Sequence, residues 1–160
     1  MVDVVTEIEI SRPREAVAAY AANPENAPAW YSNIKAVRWE TEPAMALGSK
    51  VAFRAQFLGK SLEYVYEFTE LNPGRKLVMR TAQGPFPMQT TYTWTEAARG
   101  STRMVLRNTG TPAGFRAIAN LVMAPMMRRA MRKDLAKLKS LLEGGRSQAT
   151  QENTQRKDKP

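Results

Sequence analysis

Residues 113–145 read AGFRAIANLVMAPMMRRAMRKDLAKLKSLLEGG, the one long helical pattern in the chain. From residue 127 onward apolar residues recur at intervals of four, four, three and four, which predicts that one helix face carries Met127, Met131, Leu135, Leu138 and Leu142. The pair Gly144-Gly145 predicts the C-terminal end of this helix. Upstream, Pro125 lacks a backbone N–H, so it predicts a kink or a restart.

The sequence before this helix reads mainly as β-strands. Residues 2–10 alternate between apolar and polar, two short helical stretches follow at 13–22 and 25–30, and six more strand patterns lie between residues 34 and 109. Turns such as Asn72-Pro73-Gly74 are short, so neighbouring strands are expected to be antiparallel. The predicted architecture is α+β, with one sheet covered by one long helix.

Composition excludes several kinds of site. The 160 residues fit a single domain, and they contain no cysteine and no histidine. Disulfides, thiolate metal sites, cysteine nucleophiles and the commonest general base are therefore absent. We expect no metal and no cofactor, because metal-ligand clusters and glycine-rich phosphate loops are also missing. Without a signal-peptide pattern or an apolar run of about 20 residues, we expect a cytoplasmic protein.

The net charge of +9 is concentrated at the C-terminal end, since residues 128–160 carry +6 of it. The basic residues of the predicted helix, offset only by Asp134 and Glu143, are Arg128, Arg129, Arg132, Lys133, Lys137 and Lys139. A solvated face explains this pattern, and so does a surface for RNA, ribosome or anionic membrane. Residues 144–160 have no apolar periodicity, so we predict a disordered polar and basic tail after a domain of residues 1–143.

Several motifs resemble one known family. Residues 10–17 (ISRPREAV) are similar to its strand-to-helix entry, residues 23–30 (NPENAPAW) to its helical insertion, and residues 71–77 (LNPGRKL) to its central turn. Residues 92–94 and 100–103 are similar to its last hairpin. The chain thus resembles the START-like, or SRPBCC, superfamily, and within it the polyketide cyclase/dehydrase and lipid-transport family. The resemblance implies a helix-grip fold, a curved antiparallel seven-stranded sheet wrapped around the long C-terminal helix.

That fold implies a cavity between sheet and long helix, opening near the two short helices. Strand alternation then selects the lining residues, for each of which a place in a filled core is the alternative. The candidate ligand-binding residues are Trp30, Tyr31, Phe53, Phe57, Leu62, Tyr64, Tyr66, Met79, Met88, Tyr92, Trp94, Met104, Leu106, Asn108, Phe115, Ile118, Val122, Met123 and Met127. Among them the tyrosines would bring hydroxyls to the inner face, and Asn108 would bring an amide.

We expect the cavity to bind or transport a small hydrophobic molecule, such as a lipid, a quinone or an aromatic polyketide, without catalysis. The first alternative is a polyketide cyclase or dehydratase, which the family resemblance suggests. The pattern predicts no carboxylate on the inner face, so it identifies no general base and no catalytic residue. The second alternative is a basic interaction module that uses the long helix and the tail.

Overall fold

The computed structural model describes residues 1–57, 59–84, 86–111 and 117–157, with side chains in the last range given from Val122 to Gly144. Within these residues the elements follow the predicted order of strand, short helices, six strands and long helix. The strands are β1 (Val2–Ile10), β2 (Ile34–Trp39), β3 (Lys50–Phe57), β4 (Lys60–Asn72), β5 (Lys76–Gln83), β6 (Met88–Glu96) and β7 (Thr102–Gly110). The helices are α1 (Arg14–Ala22), a 3₁₀ turn (Pro24–Asn26), α2 (Ala27–Trp30) and α3 (Ala117–Lys157).

The seven strands form one antiparallel sheet in the order β1-β7-β6-β5-β4-β3-β2. Register shifts interrupt the β4–β5 pairing twice and the β2–β3 pairing once. Such irregularities bend a strand and increase its twist, which suits a sheet that curves around a helix. Ion pairs from Arg103 to Glu7 and from Arg107 to Asp3 lie on the exposed outer face. The α+β helix-grip architecture is therefore confirmed.

The concave face of the sheet packs against α3, whose side chains Leu135 and Leu138 are fully buried. Polar contacts fix the helix to the end of β1, because the Nζ of Lys139 donates to the carbonyl of Glu9 at 2.7 Å. Nearby, the backbone N–H of Ser11 donates to a carboxylate oxygen of Glu143 at 2.9 Å. The helix α1 contacts β6, and α2 contacts both α3 and β2. The short helices and α3 thus cover the same face of the sheet.

The predicted end of the long helix at Gly144-Gly145 is wrong, since α3 continues to Lys157. The cost of glycine inside a helix is only about 1 kcal/mol, and the residues that follow include several ordinary helix formers, so two glycines do not by themselves end a helix. The predicted restart at Pro125 is also absent, because this proline lies inside α3. The division into a domain of residues 1–143 and a tail of residues 144–160 stays a prediction. Among the described helices, none has both the length and the apolar character that crossing a bilayer requires.

Candidate ligand-binding site

Two adjoining chambers lie between the sheet and the helices. The inner chamber, of about 120 Å³, lies where α1 and α2 meet the sheet. The outer chamber, of about 330 Å³, lies between α3 and the strand ends that face it. The residues common to both walls are Tyr31, Asn33, Ala55, Tyr64, Met88 and Asn108. Because the two chambers share these wall residues, they adjoin, and we call the two together the cavity. Its exposed rim residues include Ser32, the second residue after α2, and Met126.

A pair of tyrosine hydroxyls lies at the centre of the cavity wall. The hydroxyl oxygens of Tyr31 and Tyr92 are 2.5 Å apart, a short hydrogen bond in which either group can donate. The turn of α2 positions Tyr31, whose backbone N–H donates to the carbonyl of Ala27 at 2.9 Å. Burial, with the neighbouring phenol as a further cause, raises the pKa of Tyr31 well above its usual value, and burial also raises the pKa of Tyr92. Both phenols therefore stay protonated and serve as neutral hydrogen-bonding groups.

A second polar pair lies across the β6–β7 ladder. Thr90 and Asn108 are directly opposite each other, and the Thr90 hydroxyl donates to the side-chain oxygen of Asn108 at 2.7 Å. The predicted cavity amide at Asn108 lies on the walls of both chambers. Beside it, Tyr64 and Tyr66 pack ring to ring with centroids 6.3 Å apart. Burial raises the pKa of both these phenols, so they too remain neutral.

The cavity also has a carboxyl group, which corrects the expectation that no inner carboxylate exists. Asp134 of α3 is only 4% exposed and lies on the wall of the outer chamber. Its Oδ1 accepts a hydrogen bond from the backbone N–H of Ser32 at 3.0 Å, which joins α3 to the segment that follows α2. Burial raises the pKa of Asp134 above its ordinary value, and the Ser32 hydrogen bond and the charge of Lys133 partly offset that rise. This is the group most able to exchange a proton in the cavity.

Sequence reasoning missed Asp134 because it counted the residue with the charged face of the helix. The intervals of four, three and four from Met127 through Met131 and Asp134 to Leu138 nevertheless place it on the buried stripe. The other cavity residues that were not among the predicted ligand-binding residues include Asn33, Ala55, Phe86, Met126, Ala130 and Met131. The spacing of Asp134 from Met127, Met131 and Leu138 could therefore have predicted that it lies on the buried face.

Most of the candidate residues do come together around the cavity. Those on its walls are Tyr31, Phe53, Phe57, Tyr64, Tyr66, Met79, Met88, Tyr92, Asn108, Met123 and Met127. Others are buried or half-buried away from both chambers, namely Trp30, Leu62, Trp94, Met104 and Leu106. Val122 is 62% exposed and lies on neither wall. Phe115 and the side chain of Ile118 lie outside the described residues.

The chemical capacity of the cavity follows from this inventory. Its surface consists mainly of aromatic rings, methionine and alanine side chains. Its polar groups are phenols, the Thr90–Asn108 pair, the carboxyl of Asp134, and the residues Ser32, Asn33, Gln56 and Thr109. Within the part of the chain that the structure describes, no group of three or more acidic, histidine or cysteine side chains is placed to hold a metal ion. The arrangement can hold an apolar molecule and offer it a few hydrogen bonds and one proton-exchanging group.

Solved structures with the same fold support the architecture. TTHA0849 from Thermus thermophilus is similar with a TM-score of 0.76, at 18% identity over 89% of this chain and 98% of that one. The Zhui aromatase/cyclase from Streptomyces sp. R1128 has a TM-score of 0.74, at 16% identity over 88% and 93%. A START superfamily protein from Mycobacterium smegmatis has a TM-score of 0.69, at 16% identity over 92% and 98%. At these identities the likeness concerns the fold alone.

Sequence comparison identifies the family. Among curated proteins no sequence matches this chain. The profile of the family described as polyketide cyclase / dehydrase and lipid transport matches residues 1–143, which is most of the chain. The match covers the whole sheet, both short helices and the part of α3 that packs on the sheet. The chain therefore belongs to the polyketide cyclase/dehydrase and lipid-transport family.

Proposed function

We propose that this chain binds a small, mainly apolar molecule in the cavity and holds it without transforming it. The observation that carries the proposal is the composition of the wall, in which aromatic rings and methionines surround two polar pairs, Tyr31 with Tyr92 and Thr90 with Asn108, whose members bond to each other. Proteins hold hydrophobic ligands in pockets of this kind. Methionine adds adaptability, because its unbranched side chain fits irregular shapes.

The size of the cavity limits the ligand. A dry cavity of about 150 Å³ can hold a benzene molecule, so the outer chamber of about 330 Å³ has space for roughly two such rings. The two tyrosine hydroxyls and Asp134 would meet a carbonyl or hydroxyl at one edge of that ligand. Among a lipid chain, a quinone and an aromatic polyketide, the last two fit this combination of ring and polar edge best. The family description, which names lipid transport beside cyclase and dehydrase, agrees with an apolar ligand.

The first experiment is uptake of 1-anilinonaphthalene-8-sulfonate, an environment-sensitive dye, by the purified chain. Ala55 belongs to the walls of both chambers, so Ala55→Phe places a ring in the cavity and is expected to weaken dye binding at least tenfold. The matched control is Ala98→Phe, the same substitution at an exposed turn, which is expected to leave dye binding unchanged. Circular dichroism checks that both variants fold.

Native mass spectrometry of the wild-type chain complements the dye measurement. A stoichiometric apolar adduct that Ala55→Phe removes and Ala98→Phe retains would support the proposal and identify the ligand class by extraction. Equal dye binding by wild type and both variants would contradict it, since the dye would then bind elsewhere. Absence of dye uptake by a folded wild-type chain would also contradict it, and a filled core would replace it.

A second candidate function, polyketide cyclisation or dehydration, is favoured by one observation, the buried carboxyl of Asp134 on the cavity wall. As a carboxylate, this group can take a proton from the carbon between two carbonyls of a bound poly-β-ketone, and the resulting enolate carbon can attack a second carbonyl of the same molecule. A tyrosine hydroxyl can give its proton to the oxygen that becomes an alkoxide, and the proton held by Asp134 restores the phenol. Water is lost only in a later dehydration.

Product formation separates the two candidates. A linear poly-β-keto thioester is incubated with wild type and with Asp134→Asn, and cyclised products are measured against buffer alone. Catalysis predicts products with wild type and their loss with Asp134→Asn while dye binding persists, because asparagine keeps the oxygen that Ser32 contacts. Products at the buffer rate with wild type would reject catalysis on this substrate class and favour the binding function.

A further inference from the structure

We propose that α3 docks this chain onto an anionic lipid bilayer, through a surface formed by Val122, Met126, Arg129, Lys133 and Lys137. The docking would bring the exposed rim of the outer chamber to the lipid surface. The proposal adds a partner to the ligand-binding function, and vesicle binding tests it whether or not the cavity holds a ligand. We call these five residues the outward face of α3.

The first part of the argument is an exposed apolar pair beside the cavity. Val122 and Met126 are 62% and 37% exposed, and they are four residues apart on α3. Met126 also belongs to the wall of the outer chamber, together with Met123 and Met127. Apolar side chains that are exposed next to one another and continue into an apolar cavity wall form a contiguous patch, and such patches mark protein or membrane interaction sites. The exposed pair therefore lies on the same segment of α3 that lines the outer chamber.

The second part is the charge that follows along the same face. From Val122 the intervals of four, three, four and four lead through Met126 and Arg129 to Lys133 and Lys137, so these residues share one side of the helix. Arg129, Lys133 and Lys137 are exposed.

The same helix segment carries two more cations, Arg128, which is half-buried, and Arg132, which is exposed. Among the ion pairs of the described residues, none uses any of these five cations. The sequence from residue 115 to residue 142 contains one acidic residue, Asp134, which is 4% exposed and forms none of the ion pairs of the described residues. The charge is therefore available to an anionic partner.

The combination favours a bilayer over a nucleic acid. Val122 and Met126 form the apolar tip of the outward face, and cations that form no ion pair follow them. This arrangement matches a lipid surface, where apolar side chains enter the interfacial region and cations contact the anionic headgroups. Proteins that hold single-stranded nucleic acid add aromatic side chains on which the bases stack. The sequence from residue 116 to residue 160 contains no aromatic residue. The occupant that fits the outward face is thus an anionic membrane.

The test is flotation of the full chain with vesicles of phosphatidylcholine alone and of equal parts phosphatidylcholine and phosphatidylglycerol. The surface variant is Arg129→Gln, Arg132→Gln, Lys133→Gln and Lys137→Gln combined, four exposed cations of α3. The matched control removes four exposed cations from other parts of the molecule, Lys50→Gln, Arg54→Gln, Lys60→Gln and Arg99→Gln. A third variant, Val122→Asp, adds a charge to the apolar tip. Circular dichroism and dye uptake check that each variant folds and keeps its cavity.

We expect binding to the anionic vesicles that falls as salt rises, and little binding to phosphatidylcholine alone. The surface variant should bind at least tenfold more weakly than the control, since each cation near an anionic surface strengthens binding about fivefold. Val122→Asp should bind anionic vesicles more weakly than wild type at the same salt concentration. Equal binding by the surface variant and the control, or no binding of wild type to anionic vesicles at low salt, would overturn the proposal. So would a single-stranded RNA homopolymer that binds wild type and displaces it from the vesicles.

Discussion

The hydroxyl oxygen of Tyr31 lies 2.5 Å from that of Tyr92, although Tyr92 follows Tyr31 by 61 positions in the chain. Tyr31 directly follows α2, and Tyr92 lies in the middle of β6, so this hydrogen bond joins the short helices to the sheet across the cavity wall. Trp30 packs against both rings, at centroid distances of 4.0 and 6.0 Å. The pair is therefore a structural contact as well as a polar edge for a ligand.

Removing either hydroxyl should destabilise the fold, because the remaining one stays buried without its partner. Tyr31→Phe and Tyr92→Phe are each expected to lower the free energy of unfolding by about 1–3 kcal/mol. The double variant leaves no buried hydroxyl unpaired, so its loss should be smaller than the sum of the single losses by about 1 kcal/mol or more. Urea denaturation followed by circular dichroism measures all three values.

The control for this cycle is Tyr20→Phe, on a tyrosine of α1 that is only half-buried. It should change the free energy of unfolding by less than about 0.5 kcal/mol. Strictly additive losses in the double variant would show that the two hydroxyls do not depend on each other, contrary to the geometry.

The carboxyl of Asp134 should make stability fall as pH rises. Burial raises the pKa of Asp134 in the folded protein, so the folded state binds the proton more tightly than the unfolded chain. Its contribution is therefore complete below the unfolded pKa, about 3.9, and is lost as pH rises through the higher folded pKa. Asp134→Asn stays neutral and keeps an oxygen for the N–H of Ser32. The variant should gain stability over wild type as pH rises from about 4 towards 8, measured by urea denaturation.

A control of opposite sign is Asp3→Asn. The hydrogen bond from Arg107 lowers the pKa of Asp3, so this carboxylate stabilises the folded state above its unfolded pKa and loses that contribution as pH falls. Asp3→Asn should therefore be less stable than wild type at neutral pH, by a difference that shrinks in acid. The result that would contradict the Asp134 prediction is a free energy of unfolding that rises with pH in wild type relative to Asp134→Asn. It would show that the buried carboxylate is well paired, so that burial does not destabilise it.

The fold was predictable because it rests on local periodicity. The alternation of Leu62, Tyr64, Tyr66 and Phe68 assigns one face of β4, and the structure places these four side chains on the core side. The register shifts in β4, near Val65 and Phe68, leave no comparable mark in the sequence. They depend on how two strands meet, which is a tertiary property.

The cavity was predictable only in part because apolar residues of α3 lie on more than one face of the helix. Met127 follows Val122 by five positions, a rotation of about 140° on an ideal helix, so Val122 does not share the face of Met123, Met127 and Met131. Val122 accordingly lies in solvent while Met127 lies on the cavity wall. Asp134 was missed for a different reason. The buried face of a helix is recognised in a sequence by its apolar residues, so a charged residue on that face is assigned to the exposed side. Such exceptions require the folded chain.

The effect of Gly144→Ala on stability tests whether α3 continues past Gly144. The free energy of unfolding should rise if Gly144 is helical and fall if the helix ends there. A Cβ added at Gly144 would meet no atom within 4 Å, and the residue lies inside the helix, so Gly144→Ala should raise the free energy of unfolding by up to about 1 kcal/mol. A helix that ended here with Gly144 in the left-handed region, as the sequence pattern predicts, would instead lose about that amount. Gly74→Ala is the control for such a loss, since Gly74 has a φ of 75° in open space. Urea denaturation and the helical circular dichroism signal of both variants decide between the two, and a destabilised Gly144→Ala would contradict the continuous helix.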